Sequence, residues 1–115
     1  KLSAHLEEEG FGDKPLIISE IGAGAIPGFR DRHHGRWTEE YQHELYDVVI
    51  THLFETRNRV CGLALWLFAD LRTSEFLPKP LGRPRGFNNK GCVDEYRRPK
   101  LSFDLVKEKF GELNK

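Results

Sequence analysis

Leu16-Ile17-Ile18-Ser19-Glu20-Ile21-Gly22 is the stretch on which the reading of this chain turns. Pro15 opens it, and the run from Leu16 to Glu20 is apolar without strict alternation before it ends in a carboxylate and a glycine turn. Such a run suits a parallel strand covered on both faces better than an alternating edge strand. Glu20 is then displayed at the carboxyl end of a strand. Working outward, Trp66-Leu67-Phe68-Ala69-Asp70 closes a second apolar run from Cys61 to Ala69, and Phe87-Asn88-Asn89-Lys90-Gly91 follows in the loop after it. The three polar endpoints, Glu20, Asp70 and Lys90, are expected to converge on one face.

The flanking segments read as helices and loops. Leu2 to Glu9 has the pattern of the end of a polar helix, closed by Gly10 and a Gly12-Asp13 turn. Gly22 to Gly35 is glycine-rich with Pro27 and is expected at the surface near the strand's end. Thr38 is a candidate N-cap, with Glu39 and Glu40 in the first turn, where the helix dipole favours acids. Tyr41, Leu45, Val48, Val49 and Leu53 recur at helical spacing to about Thr56, and this stripe is expected to cover a sheet. Arg57 to Val60 is a basic connection. Asp70 to Gly91 forms a loop of about twenty residues, a length that usually carries function or disorder. A last helix is expected from about Ser102, after Pro99, with Phe103, Val106 and Phe110 facing inward.

This order gives two βα units, which join parallel strands with helices outside. Two parallel strands alone cannot satisfy their edges. The fold class expected is therefore α/β, the last two βα units of a (β/α)8 TIM barrel, incomplete on its own. In such barrels the functional groups project from the carboxyl ends of the strands, where Glu20, Asp70 and Lys90 fall.

Composition excludes several functions. The chain has 115 residues, with 18 Lys plus Arg against 18 Asp plus Glu. A formal charge of zero offers no field for nucleic acid or an anionic membrane, and the Arg97-Arg98 pair reads as a solvated turn. No run approaches the roughly 18 apolar residues of a membrane helix, and Lys1 to Gly10 is too polar for a signal peptide. Cys61 and Cys92 have neither zinc nor redox spacing; both read as buried free thiols, which leans toward a reducing, cytoplasmic compartment. The adjacent His33 and His34 point in different directions in most conformations, so no metal site and no cofactor are expected. The absence of methionine points to a piece of a longer polypeptide.

Several segments together carry a family resemblance. Ile18-Ser19-Glu20-Ile21-Gly22-Ala23, Trp37-Thr38-Glu39-Glu40-Tyr41-Gln42, Trp66-Leu67-Phe68-Ala69-Asp70, Asn88-Asn89-Lys90-Gly91 and Arg98-Pro99-Lys100 resemble, in order and approximate spacing, the carboxyl-terminal part of β-glucuronidases of glycoside hydrolase family 2. The resemblance runs from Lys14 to about Phe110. It implies that residues 1–115 are a carboxyl-terminal segment of the family's catalytic barrel domain.

The resemblance also implies roles. Glu20 corresponds to the catalytic nucleophile of a retaining mechanism, which needs two carboxyl groups roughly 5 to 5.5 Å apart. The family's acid/base glutamate sits in an Asn-Glu pair on an earlier strand, and this sequence has no Asn-Glu dipeptide. The segment by itself is thus expected to be inactive. Asn88 and Lys90 match the Asn-x-Lys signature that contacts the uronic acid carboxylate, and Arg83 or Arg85 lies where an assisting arginine is often found. Trp66 matches a tryptophan lining the sugar site, whose ring can stack on a pyranose. Asp70 and Thr73 are expected to brace the loop. Arg30, Arg32, His33, His34 and Arg36 depart from the family pattern, in the region bearing on the aglycone. The partners implied are a β-glucuronide substrate, the remainder of the same polypeptide and a homo-oligomer of the full enzyme. β-Galacturonidase or β-galactosidase activity, or an inactive carbohydrate-binding fragment, are the rival readings.

Overall fold

Strands β1 (Leu16–Ile21) and β2 (Val60–Leu65) pair in parallel, joined through helix α2 (Glu39–Glu55), in a computed structural model that describes residues 2–55, 60–74 and 82–113. Helix α1 (Leu2–Glu8) precedes β1 and helix α3 (Leu101–Leu113) closes the described chain. Parallel neighbours require a crossover of this length, so the β–α–β order anticipated from the apolar runs is the order observed. The register matches Leu16 with Val60, Ile18 with Leu63 and Ile21 with Leu65. Of the basic connection expected over Arg57 to Val60, residues 57–59 lie outside the described residues, as does Thr56.

The second strand is shorter than its apolar run. It stops at Leu65 because the backbone changes partner: Trp66 N–H donates to Ile21 O at 2.7 Å, but Leu67 N–H donates to Lys90 O at 3.2 Å. Cys92 and Val93 N–H then donate to Leu67 O and Phe68 O, and Ala69 bridges Val93. Residues 67–69 therefore run alongside the segment that begins at Lys90 instead of β1.

Nor are the strands covered on both faces. Leu16, Ile18 and Ile21 are half-buried, whereas Ile17, Ser19 and Glu20 are exposed, Ile17 by 64%. The helices pack on one side only: Tyr46 and Ile50 of α2 and Cys92 form the core, joined by Leu63 and Leu65 of β2 and by Phe103, Leu105, Val106 and Phe110 of α3. Cys61 is exposed, not buried, because it alternates onto the side of β2 away from this core; Cys92 is buried as expected.

Helix α2 starts as its sequence demands. Thr38 Oγ1 accepts the Tyr41 N–H at 3.1 Å and donates to Gly35 O at 2.7 Å, and Glu39 and Glu40 occupy the first turn. Its buried stripe is not the apolar one, however. Glu39, Gln42, Tyr46 and Ile50 are the buried residues, while Val48 is 62% exposed and Tyr41, Leu45, Val49 and Leu53 are half-buried. The polar members go inward because each has a partner there, described below.

The two long loops are more ordered than glycine and proline suggest. In the Gly22–Gly35 loop, Ala23 and Ala25 are buried, Ala25 N–H donates to Asn89 O at 2.8 Å and Ile26 N–H to Trp37 O at 2.9 Å. Between Asp70 and Gly91, strands β3 (Leu71–Arg72) and β4 (Phe87–Asn88) pair antiparallel, with a 3-10 turn at Pro84–Gly86 before β4. Residues 75–81 of that loop lie outside the described residues. No helix among the described residues is long and apolar enough to cross a membrane.

Candidate active site at the strand ends

Glu20 lies one residue before the end of β1, on its exposed side. No hydrogen bond or ion pair engages its carboxylate among the described residues. The next glycine explains how the two strand ends meet. A Cβ on Gly22 would overlap the Trp66 carbonyl oxygen and would stand 3.5 Å from Lys90 Cδ. Only a residue without a side chain lets the end of β2 and the Lys90 stem close on this turn. Three of the predicted residues are thus brought together: Trp66, 42% exposed, and Lys90, half-buried, both meet the turn two residues beyond Glu20.

Asn88 stands beside them in the clamp loop, residues 88–91. Its side-chain Oδ1 accepts the Lys90 N–H at 3.3 Å. With that oxygen occupied, the group left over is the amide NH2, a donor. The free ends of the Asn88 and Lys90 side chains are therefore both donors, suited to an anion and not to a cation.

The clamp loop is held from below by buried polar groups. Gln42 Nε2, fully buried, donates to Ala23 O at 2.8 Å, Gly91 O at 3.1 Å and, longer, Lys90 O at 3.4 Å, and its Oε1 accepts the Ser102 hydroxyl at 2.7 Å. The Tyr46 hydroxyl also donates to Lys90 O at 3.4 Å, and burial pushes its phenol well above the usual range. Glu39 spans two segments: Oε1 accepts the Gly28 N–H at 2.7 Å and Oε2 the Leu101 N–H at 2.8 Å. A Cβ on Gly91 would lie 2.7 Å from the Ala69 carbonyl carbon, so the loop also needs a glycine where it passes Asp70.

Asp70 and Lys100 form the centre of this support. Lys100 Nζ donates to Asp70 Oδ1 at 2.8 Å, Ala25 O at 2.7 Å and Asn89 O at 3.0 Å, which uses all three of its protons. Asp70 Oδ1 also accepts the Gly91 N–H at 2.9 Å, and Oδ2 faces Arg85 Nη2 at 3.3 Å. Burial pushes the Asp70 carboxyl up and the Lys100 ammonium down, and each is opposed by the other's charge. Removing one partner of a buried pair typically costs roughly 3–5 kcal/mol, because the other charge is stranded. Thr73 closes the neighbouring hairpin, with its N–H and its hydroxyl both donating to Gly86 O at 2.9 and 2.8 Å. Asp70 and Thr73 are loop braces, as anticipated.

Arg85 is placed differently from Lys90. Its guanidinium donates to Asn89 Oδ1 at 2.9 Å and Glu95 Oε1 at 3.0 Å, reaches Asp70, and lies over the Phe87 ring. It is engaged within the protein on several sides, whereas the Lys90 ammonium has no partner among the described residues. Among the basic residues of the Gly22–Gly35 loop and its end, Arg30 pairs with Glu40, His34 Nδ1 meets Glu44 Oε2 at 2.9 Å and Arg36 lies over Trp37. No cluster of three or more His, Cys, Asp or Glu side chains arranged for a metal occurs among the described residues.

Sequence reasoning gave no role to Lys100 or Gln42, which the structure shows to be central supports. The signals were present. Gln42 falls in step with Glu39, Tyr46 and Ile50 on one helix face, and Lys100 follows a proline immediately before a helix.

Comparison with known proteins bears on this arrangement. No family profile matches the chain. A β-glucuronidase of Paenibacillus borealis is 34% identical over 100 residues, 87% of this chain and 16% of that protein. A solved β-galacturonidase of Eisenbergiella tayi from glycoside hydrolase family 2, bound to galacturonate, superposes with a TM-score of 0.85 at 42% identity, over 96% of this chain and 20% of that one. The chain is homologous to part of the family 2 glycoside hydrolases. A β-glucuronidase of Faecalibacterium prausnitzii adds a TM-score of 0.78 at 30% identity, again over 96% of this chain and 18% of the other. The chain thus spans about a sixth to a fifth of the length of these family 2 relatives.

Proposed function

We propose that the complete polypeptide carrying this chain hydrolyses β-D-glucuronides with retention of configuration, Glu20 acting as nucleophile. The observation that carries this reading is the meeting at Gly22: the stem of Lys90, an ammonium with no partner among the described residues, packs on the turn directly after Glu20. A free carboxylate beside a free cation is what attack on an anionic sugar asks for. Glu20 attacks the anomeric carbon and forms a glycosyl ester as the aglycone leaves, and water then cleaves the ester. The proton for the leaving oxygen comes from a carboxylic acid elsewhere in the polypeptide, since the segment has no Asn-Glu pair.

Lys90 and the Asn88 amide NH2 receive the sugar carboxylate. Charged hydrogen bonds of this kind contribute roughly 1.5–3 kcal/mol each, and a neutral sugar leaves the ammonium unpaired. Trp66, at 42% exposure, offers an indole face to the pyranose. Arg85 assists by holding Asn89, and with it the clamp loop, rather than by direct contact. In this reading β1 and β2 are the last two strands of an eight-stranded barrel whose other strands cover the exposed face of Ile17.

The test is release of an aryl group from an aryl β-glucuronide by the complete polypeptide and by its Glu20→Gln variant. An amide cannot form the ester, so turnover is expected to fall by more than a thousandfold; a variant that keeps normal turnover sinks the assignment. β-Galacturonides are a second reading, favoured by the higher identity to the Eisenbergiella tayi β-galacturonidase than to the Faecalibacterium prausnitzii β-glucuronidase. The same aryl group on the two uronic acids separates them, because only the configuration at C4 differs.

A further inference from the structure

The ammonium of Lys100 sits where the loop after β1, the segment that follows β2 and the clamp loop meet. Its three acceptors come one from each: Ala25 O at 2.7 Å, Asp70 Oδ1 at 2.8 Å and Asn89 O at 3.0 Å. Asn89 O lies between the two residues whose side chains form the anion clamp, and it accepts the Ala25 N–H as well. Lys100 is 3% exposed, so bulk solvent is shut out from these bonds. A single tetrahedral nitrogen therefore ties the loop that follows Glu20 to the loop that carries Asn88 and Lys90, beside the direct Ala25 N–H to Asn89 O bond and the Gln42 amide.

We propose that Lys100 is a positioning residue for uronate selectivity: it touches no substrate, but it locks the separation between the loop after the nucleophile and the carboxylate clamp by anchoring both to Asp70. The inference rests on the reading of Asn88 and Lys90 as that clamp. Neighbouring supports join the same two loops, but only Lys100 also ties both of them to Asp70. Gln42 ties Ala23 to Gly91 from the other side, and Arg85 grips the Asn89 side chain, so neither reaches Ala25 O or Asn89 O. A lysine suits the place because three acceptors converge on one nitrogen, which has a proton for each. The planar fork of an arginine keeps the charge near Asp70 but spreads its donors over several nitrogens.

The experiment compares an aryl β-glucuronide with the matching aryl β-glucoside on the complete polypeptide, its Lys100→Met and Lys100→Arg variants, and Lys90→Ala. A Lys100 variant with a merely structural defect loses active protein and lowers kcat/KM for both sugars in the same proportion. A positioning role predicts something else: KM for the glucuronide rises at least tenfold, and the ratio of the two kcat/KM values falls toward that of Lys90→Ala. Should Lys100→Met fail to fold, Lys100→Arg carries the test, because it retains the buried charge against Asp70 while moving the loop. A Lys100→Arg that folds and keeps the wild-type ratio overturns the proposal. A wild type with no preference for the glucuronide overturns the clamp reading itself, and this inference with it. A preference lost in Lys90→Ala yet intact in both Lys100 variants leaves the clamp standing and removes only the positioning role.

Discussion

Helix α2 has two faces, and the greasier one is not the one it buries. Tyr41, Leu45, Val48 and Val49, with Glu44, line an open surface cavity of about 340 Å³, while Glu39, Gln42, Tyr46 and Ile50 are buried. The inner face is mostly polar because its work is to hold loops. Glu39 and Gln42 together bond five backbone groups in three separate segments. Burying a polar group costs free energy unless it is bonded, so a helix can turn such a face inward only where the chain supplies partners. The outer face has the opposite problem: it is apolar, and although Leu45 reaches the core cluster, Val48 stands 62% exposed.

The sharpest break of this comparison is at the inner stripe's one aliphatic residue. Ile50 is fully buried, at 0% accessibility in the core with Tyr46 and Cys92. Ile50→Ala in the complete polypeptide is expected to cost about 2–5 kcal/mol, the range for emptying such a site. A denaturant melt checks it, and a loss under 1 kcal/mol removes Ile50 from the core.

Next comes the polar half of the same face. Gln42→Leu keeps the volume but withdraws the donor from Ala23 O and Gly91 O and the acceptor from the Ser102 hydroxyl. Stranded buried groups cost about 1–3 kcal/mol, so the variant is expected to be destabilised by that amount although a hydrophobe has replaced an amide. A leucine variant as stable as the wild type would show that hydrophobicity, not bonding, rules this face.

These residues also mark how far the sequence could be read. The strand around Glu20, the Thr38 cap and the parallel pairing were legible, because each depends on neighbours a few residues away or on a run of one character, whereas Trp66 and Lys90 were joined only by the family resemblance. The buried stripe of α2 was not. Periodicity picks the apolar face, and nothing local says that Gln42 meets carbonyls near positions 23 and 91. The end of β2 was misplaced for the same reason: Leu67 and Phe68 look like strand, but their partner lies in the segment after Lys90. Long-range bonds to single atoms leave no pattern in the chain that makes them.

The outer face gives a smaller and more diagnostic effect. Val48 is 62% exposed here, and the groove between β2 and α3, lined by Leu63, Leu67, Phe68 and Phe103 among others, is a further apolar cavity of about 490 Å³. An exposed valine truncated to alanine normally changes stability by less than about 0.5 kcal/mol. In the complete polypeptide, where we propose that further barrel elements cover this flank, Val48→Ala is expected to cost about 1 kcal/mol. A cost near zero would mean the flank faces water there too.

The smallest effect separates two buried carboxylates at the polar end. Asp70 is pushed up by burial despite its cationic partners, but Asp94 goes the other way. Burial raises Asp94 as well, yet the Arg98 N–H, the Arg98 guanidinium and the Tyr96 N–H outweigh it and hold the carboxyl below its ordinary value. A depressed acid contributes stability that is present above the unfolded value, about 3.9, and lost as pH falls through the folded one. Because the Arg98 side chain is 71% exposed, the contribution is small, under about 1 kcal/mol. A carboxyl-carbon NMR titration is expected to place the Asp94 midpoint below 3.9 and to move it upward in Arg98→Ala. The turn from Asp94 to Arg98 delivers Lys100 to its three acceptors, so a midpoint at or above the ordinary value would mean that this turn is not held by its aspartate, and that Lys100 keeps its place through its own three bonds.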